Sequence, residues 1–207
     1  MFKTNSRIKL FFLAKIFVIT LILSIKAYGE SSETGQKMIA VGSPDAVVKI
    51  KVFSSFTCPH CAIFHFDVLP EIKKKYVDSS KVQLIFIDFP LDQAAFNASK
   101  LLHCVDKNKQ ISFMDIIYEK QNQWTSGSTI EEINESLKKI VVNLGINSAQ
   151  FDNCLIDDDI SDKILSGRID AHKKYTINST PTIVINEKKL EGSATFKNIK
   201  KRIEKII

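Results

Sequence analysis

Two cysteines separated by two residues follow a strand-like segment, and this arrangement constrains the fold more than any other feature of the sequence. Residues 47–53 are rich in Val, Ile and Phe and alternate in polarity, as a half-buried strand does. The run Cys58-Pro59-His60-Cys61 comes next, and from Cys61 onward apolar residues recur at helical spacing. The sequence therefore predicts a strand, a cysteine pair and the start of a helix in immediate succession.

A Cys-x-x-Cys pair at a helix start is suited to thiol-disulfide exchange. The reacting species is a thiolate, and the unpaired N–H groups and positive dipole end of a helix N-terminus favour an anion at Cys58. Pro59 fits the first turn because its missing N–H is not needed there. Cys61, one turn further along, faces Cys58 and lies on the buried stripe. We expect Cys58 to be the exposed nucleophile, Cys61 the resolving thiol, and His60 a donor or partial positive charge beside Cys58.

The rest of the chain indicates an α/β fold. Residues 81–89 read as a buried strand, residues 93–176 as consecutive helices, and residues 182–185 and 188–190 as strands before a final amphipathic helix. This order predicts one sheet interrupted by an all-helical insertion. We place the sheet domain at residues 47–92 and 169–207, the helical insertion at residues 93–168, and a linker with a possible first edge strand at residues 30–46.

Residues 1–29 have the pattern of a signal peptide, with basic residues followed by a short apolar run and Ala27-Tyr28-Gly29. The apolar run is shorter than the roughly 20 residues that a spanning helix needs. If the leader is not cleaved, it would anchor the protein to the membrane. Five basic and no acidic residues lie in this segment, so the net charge of the chain falls from +6 to +1 without it. We therefore expect no nucleic-acid partner.

The four cysteines, Cys58, Cys61, Cys104 and Cys154, all follow the leader, and an even set in an exported chain suggests disulfides. Three pairings are possible, and proximity favours Cys58 with Cys61. Two other interpretations of the Cys-x-x-Cys pair are half of a zinc site and an inert structural disulfide. Zinc would need two further ligands, and the sequence has no second Cys-x-x-Cys. We expect no metal and no cofactor.

Several segments together resemble the DsbA-like branch of the thioredoxin superfamily. They are the residues leading into the motif (53–57), the motif itself, residues 94–104, residues 144–155 and Thr180-Pro181-Thr182. The resemblance implies a thioredoxin-like fold with an all-helical insertion. It also implies that Pro181 is cis and lies against the active-site cysteines, with Thr180 beside the nucleophile and the substrate backbone, and that Cys104 and Cys154 form an extra, non-catalytic disulfide.

The chain departs from several relatives at Val52, where they carry a buried acid six residues before the first active cysteine. Proton transfer to Cys61 therefore needs another group or water, and the sequence does not identify it.

The resemblance and the leader predict a periplasmic oxidase that donates its disulfide to newly exported, unfolded polypeptides. A membrane quinone-linked protein resembling DsbB would regenerate it, and we expect a monomer. One alternative is a disulfide isomerase or reductase, although residues 30–46 are too short for a separate dimerisation domain. Another is a non-enzymatic protein that binds copper or unfolded chains through the same thiols and groove.

Overall fold

The computed structural model of the chain describes residues 39–207. The predicted signal peptide at residues 1–29 and the first part of the predicted linker, residues 30–38, lie outside the described residues. Within the described part, none of the helices combines the length and the apolar character needed to cross a lipid bilayer.

A five-stranded mixed sheet forms the centre of the fold, with strand order β1-β3-β2-β4-β5. The central strands β2 and β3 are parallel, while β1 pairs antiparallel with β3, and β4 pairs antiparallel with β2 and β5. The parallel pair needs a crossover, which the helix after the cysteine motif supplies. The strands are β1 (Ile39–Val41), β2 (Val48–Ser54), β3 (Val82–Asp88), β4 (Thr182–Ile185) and β5 (Lys188–Lys189).

The crossover helix α1 consists of four consecutive segments, Pro59–Ile63, Phe64–Val68, Leu69–Ile72 and Lys73–Val77. The second and fourth segments have π-helical geometry. The first π-helical segment ends at Val68, two residues before Pro70, which has no N–H and whose ring crowds the preceding turn of an α-helix. The apolar stripe of α1 packs on the sheet, with Ile72 fully buried.

The other helices lie mainly between β3 and β4 in the chain. They are α2 (Gln93–Cys104), α3 (Gln110–Glu119), α4 (Gln121–Trp124), α5 (Ile130–Val142), α6 (Ser148–Leu155), α7 (Asp158–Tyr175) and, after β5, α8 (Phe196–Ile203), with a short 3-10 turn at Lys107–Lys109. The boundary expected between residues 168 and 169 falls inside α7. That helix is capped by Asp157 and ends where Thr176 adopts a left-handed conformation (φ 52°), so no break occurs near residue 168.

One continuous apolar core joins the sheet to the helical part. Trp124, in the helical part of this core, is fully buried and donates its indole N–H to the carbonyl of Ile117 at 2.9 Å. The mixed sheet with helices inserted before β4 confirms the predicted α/β fold with an all-helical insertion.

Candidate active site

The cysteine motif lies where β2 passes into α1. Strand β2 ends at Ser54, a short turn follows, and Cys58 occupies the N-cap of α1 with extended backbone angles (φ −83°, ψ 116°) and Pro59 at the start of the helix. The carbonyl of Cys58 accepts hydrogen bonds from the N–H groups of Cys61 at 3.0 Å and Ala62 at 3.3 Å. The first turn of the helix thus fixes both cysteines relative to each other.

The environment of Cys58 favours its thiolate. Its pKa is lowered from 9.0 to about 5, chiefly by a hydrogen bond from the Cys61 thiol. Burial opposes this shift, while the Thr180 hydroxyl and the backbone N–H groups of Cys61 and His60 add to it. The backbone N–H contribution is the effect expected of a helix N-terminus.

Cys61 has the opposite character. Its pKa is raised, because its thiol donates a hydrogen bond to the Cys58 sulfur and because Cys61 is only 2% exposed. A proton shared between two nearby sulfurs stabilises one thiolate and one thiol, and burial decides which sulfur keeps the proton. The pair therefore contains one sulfur ready to attack and one that stays protonated until it is needed.

The exposure of Cys58 differs from our expectation of an exposed nucleophile. Only 7% of the residue is accessible, because its sulfur lies 3.2 Å from the carbonyl oxygen of Thr180. His60 also differs from expectation, since it acts on Cys58 through its backbone N–H. Its ring is exposed and forms no hydrogen bond with Cys58 within residues 39–207.

The Thr180-Pro181 segment lies against the cysteine pair, just before β4. The peptide bond between the two residues is cis, and Thr180 is 8% exposed. The Thr180 hydroxyl is buried beside both sulfurs, where it acts to lower the pKa of each thiol. The structure thus brings together Cys58, Pro59, His60, Cys61, Thr180 and Pro181.

The pair Cys104 and Cys154 lies elsewhere, where it forms a disulfide between α2 and α6 across a sequence separation of 50. Cys58 and Cys61 are free thiols. No group of three or more metal-ligating side chains occurs within residues 39–207.

Gln121 is a residue of the site that the sequence did not reveal. It lies on α4, is 6% exposed, and donates its side-chain amide to the carbonyls of Phe56 at 2.7 Å and Cys58 at 3.1 Å. It therefore ties the helical part to the backbone of the motif. A single polar residue in a helical segment carries no local sequence signal for such a role. Its burial, which requires a hydrogen-bond partner for the amide, becomes visible only in the structure.

Comparison with known proteins places these features in a family. The thioredoxin family profile matches residues 33–205. A Bacillus anthracis protein whose name contains the words disulfide bond formation protein D is 30% identical over 94% of this chain and 92% of its own length. A Rickettsia bellii protein whose name contains the words protein-disulfide oxidoreductase is 26% identical over 88% of this chain and 70% of its own length.

Solved structures show the same relationship. The crystal structure of Wolbachia pipientis alpha-DsbA1 superposes with a TM-score of 0.74 and 28% sequence identity, covering 83% of this chain and 91% of that one. The structure of oxidised BdbD from Bacillus subtilis gives a TM-score of 0.69 with 25% identity. The chain therefore belongs to the thioredoxin family, in its DsbA-like branch, and is a protein-disulfide oxidoreductase.

Proposed function

We propose that this protein is an exported oxidase that introduces disulfides into newly secreted polypeptides through the Cys58–Cys61 couple. The observation that carries the proposal is the low pKa of Cys58, about 5. A stabilised thiolate stabilises the reduced form of the couple, and a couple with a stable reduced form is a strong oxidant.

The proposed reaction has two exchange steps. A substrate thiolate attacks the Cys58 sulfur of the oxidised couple, the bond to Cys61 breaks, and Cys61 leaves with the electron pair and takes up a proton. A second substrate thiolate then attacks the substrate sulfur of the mixed disulfide, and Cys58 leaves as a thiolate. The substrate gains a disulfide and the enzyme becomes the dithiol. The low pKa of Cys58 favours the second step, because a low-pKa thiol is the better leaving group.

The proposed substrates are unfolded exported chains. Two apolar side chains of α1 are exposed shortly after the motif, Ile63 at 53% and Phe66 at 46%, and exposed apolar groups suit contact with an unfolded chain. The Thr180-Pro181 segment precedes β4 and would contact an extended substrate backbone in the manner of strand addition.

The compartment and the regenerating partner belong to the same proposal. The leader pattern at residues 1–29 supports export to the periplasm, with a membrane-anchored form if the leader is kept. Net oxidation of many substrates requires that the dithiol be reoxidised, and we propose a membrane quinone-linked protein resembling DsbB for this step. We further propose that the enzyme acts as a monomer.

The test is oxidative refolding of a substrate protein whose native disulfides have been reduced. The oxidised enzyme, with its Cys58–Cys61 disulfide formed, is added in a stoichiometric amount. We expect one substrate disulfide per enzyme molecule and complete loss of this activity in Cys58→Ser. The double variant Cys104→Ala/Cys154→Ala is the matched control and should keep the activity. An enzyme that rearranges a scrambled substrate efficiently but fails to oxidise a reduced one would contradict the proposal in favour of an isomerase.

A further inference from the structure

A strongly positive groove lies between the edge strand β5 and the last helix, α8. Its volume is about 450 Å³, and it is open to solvent. The charged side chains that line it are one carboxylate, that of Glu191, and five cations, those of Lys188, Lys189, Lys201, Arg202 and Lys205. We call it the basic groove. Because the chain without residues 1–29 has a net charge of only +1, the groove is a local concentration of positive charge.

The spacing of the basic residues explains why they meet at one surface. Lys201 and Arg202 are followed by Lys205 at intervals of four and three residues, so their side chains share one face of the C-terminal helix. Ile199 and Ile203 occupy a different face of the same helix and are fully buried. Burial of the isoleucines therefore directs the three cations towards β5 and solvent.

The cations of the basic groove have few partners in the described part of the chain. Within residues 39–207, none of the five forms an ion pair, and Lys189 alone donates a side-chain hydrogen bond, to the carbonyl of Thr176 at 3.1 Å. The neighbouring Lys200 differs, because its ammonium lies 3.9 Å from the carboxylate of Glu204. The positive charge of the groove is thus available to an anionic ligand.

The basic groove continues into the surface around Pro181. Lys189 and Leu190 also line a second groove, of about 210 Å³, whose lining includes Ser179 and Pro181. The N–H of Leu190 donates to the carbonyl of Ile183 at 2.8 Å, which holds the shared wall against β4. The second groove therefore connects the basic groove to the segment that contacts the cysteine pair.

Strand geometry gives the separation between Pro181 and the basic groove. Lys189 pairs with Val184, which lies three residues beyond Pro181 in the chain. An extended chain rises about 3.3 Å per residue, so this separation is about 10 Å. A substrate whose cysteine reacts with Cys58, and whose extended backbone follows this surface, would reach Lys189 about three residues from its own cysteine.

An acidic polypeptide fits this surface better than an anionic lipid bilayer does. The basic groove is concave and lies between a strand and a helix, whereas a bilayer presents a broad, flat surface. The guanidinium of Arg202 can bind a carboxylate through two hydrogen bonds, and the lysine ammonium groups add further charge-assisted ones. The connection to Pro181 also places the groove along the path of a chain that is already bound at the cysteine pair.

We propose that the basic groove recognises acidic residues of exported substrates, beginning about three positions from the reacting cysteine. This inference deepens the proposed function and rests on it, because it names a class of substrate for the same site. Opposite charges speed the encounter between the two molecules and hold the substrate while its thiolate attacks Cys58. Cysteines flanked by acidic residues are therefore oxidised faster than cysteines in neutral segments.

The experiment compares two synthetic peptides, each with one central cysteine. One carries Glu at the third to sixth positions on both sides of the cysteine, and the other carries Gln at the same positions. Oxidised full-length protein is mixed with excess peptide, quenched with acid, and separated by chromatography into oxidised and reduced forms. The ratio of the second-order rate constants, acidic over neutral peptide, is the charge selectivity.

The reaction in this assay is balanced. A peptide thiolate attacks the Cys58 sulfur, and Cys61 leaves with the electron pair and takes up a proton. A second peptide thiolate attacks the peptide sulfur of the mixed disulfide, and Cys58 leaves as a thiolate. The products are one peptide disulfide and the enzyme dithiol.

The double variant Lys201→Gln/Arg202→Gln removes two cations of the basic groove. Its matched control is Lys107→Gln/Lys139→Gln, which loses the same charge in the helical part of the chain. Lys107 and Lys139 are exposed, line neither of the two grooves, and form no ion pair within residues 39–207. Glutamine has nearly the helix propensity of lysine and arginine, so the helices should be preserved.

We expect Lys201→Gln/Arg202→Gln to lower the charge selectivity about fivefold or more, while the control keeps the wild-type ratio. In about 1 M salt, where the Debye length is about 3 Å, the wild-type ratio should fall to that of the groove variant. The ratio separates recognition from other effects. A difference in reactivity between the peptide thiols is the same for every enzyme, and a distorted fold slows both peptides alike.

Three results would overturn the proposal. The first is an unchanged charge selectivity in Lys201→Gln/Arg202→Gln. The second is an equal fall in Lys107→Gln/Lys139→Gln, which would show that only the overall charge matters. The third is an unchanged ratio together with loss of binding to phosphatidylglycerol vesicles, which would assign the groove to a membrane surface. Failure of the oxidase role is distinguishable, because a reduction potential typical of a reductase would leave the charge selectivity as it is.

Discussion

The sulfur of Cys58 lies 3.2 Å from the carbonyl oxygen of Thr180, a residue 122 positions later in the chain. This contact joins the start of α1 to the segment that precedes β4, and it also brings the Thr180 hydroxyl to the cysteine pair. The thiolate is therefore stabilised by the helix, by Cys61 and by a residue that precedes β4, the strand paired with β2.

The Thr180 hydroxyl should contribute measurably to the low pKa of Cys58. A hydrogen bond to a charged group contributes about 1.5 to 3 kcal/mol, so Thr180→Val should raise this pKa by about one unit. Thr180→Ser keeps the donor and should leave it near the wild-type value. The pKa is measured from the ultraviolet absorbance of the thiolate during a pH titration of the reduced protein. Equal pKa values in Thr180→Val and Thr180→Ser would show that the hydroxyl does not act on Cys58.

Gln121 should be important for both stability and reactivity. Gln121→Ala leaves the buried carbonyl of Phe56 without its side-chain donor and should cost about 2 kcal/mol of unfolding free energy. It should also change the alkylation rate of Cys58, because the motif backbone loses an anchor. Gln110→Ala is a suitable control, since Gln110 is half-buried and donates to the Leu102 carbonyl away from the motif. Urea unfolding and alkylation kinetics test both effects, and identical alkylation rates in the two variants would contradict the anchoring role.

The Cys104–Cys154 disulfide should stabilise the fold without taking part in exchange. A cross-link that spans 50 residues restricts the unfolded chain by about 4 kcal/mol in the chain-entropy model. We expect Cys104→Ala/Cys154→Ala to lose about that much stability in urea, compared with the wild type in the same redox state at Cys58 and Cys61. Its rate of exchange with glutathione should remain within a factor of about two, because less than 0.5 kcal/mol separates such rates. A much larger change would indicate coupling between the two pairs.

In two histidine–aspartate pairs the pKa of the histidine should shift in opposite directions, although the nitrogen–oxygen distances are nearly equal. His65 lies 2.6 Å from Asp115, and His103 lies 2.7 Å from Asp88. Burial lowers the pKa of His65, and Asp115 is too exposed, at 53%, to reverse this. Burial also acts to lower the pKa of His103, but the hydrogen bond and charge of the buried Asp88 outweigh it, and the pKa is raised.

These shifts have opposite consequences for stability. The raised pKa of His103 stabilises the fold below the ordinary value of 6.5, and this contribution is lost as the pH rises through the folded-state pKa. The lowered pKa of His65 destabilises the fold as the pH falls below 6.5. NMR titration of the two imidazoles measures both values, with His103→Gln and His65→Gln to assign the signals. A pKa of His103 at or below that of His65 would contradict the opposite shifts described above.

The elements that position the motif could be predicted from the sequence because their signals are local. Strand β4 has the predicted bounds, and β2 and β3 differ from prediction by one residue at their ends. Helix α5 is capped by Thr129, whose hydroxyl accepts the N–H of Glu132, and a Thr followed three residues later by Glu is a local signal of a helix start. Periodicity and capping depend on residues within one or two turns, so a single sequence contains them.

The contacts that complete the site were not predictable in the same way. Gln121 is a single polar residue whose partners, the carbonyls of Phe56 and Cys58, are distant in the chain, so nothing local distinguishes it from a surface residue. The covering of Cys58 by the Thr180 carbonyl likewise arises only when β4 pairs with β2. Tertiary packing decides these contacts.

The reduction potential of the Cys58–Cys61 couple tests the central claim most directly, because it measures how far the protein stabilises one thiolate over the disulfide. It is obtained by equilibrating the protein with glutathione buffers of known ratio. We predict a value near that of DsbA, about −120 mV, since a Cys58 pKa of about 5 stabilises the reduced form. A value near that of thioredoxin, about −270 mV, would contradict the account, because the thiolate would then provide no driving force for oxidation of substrates.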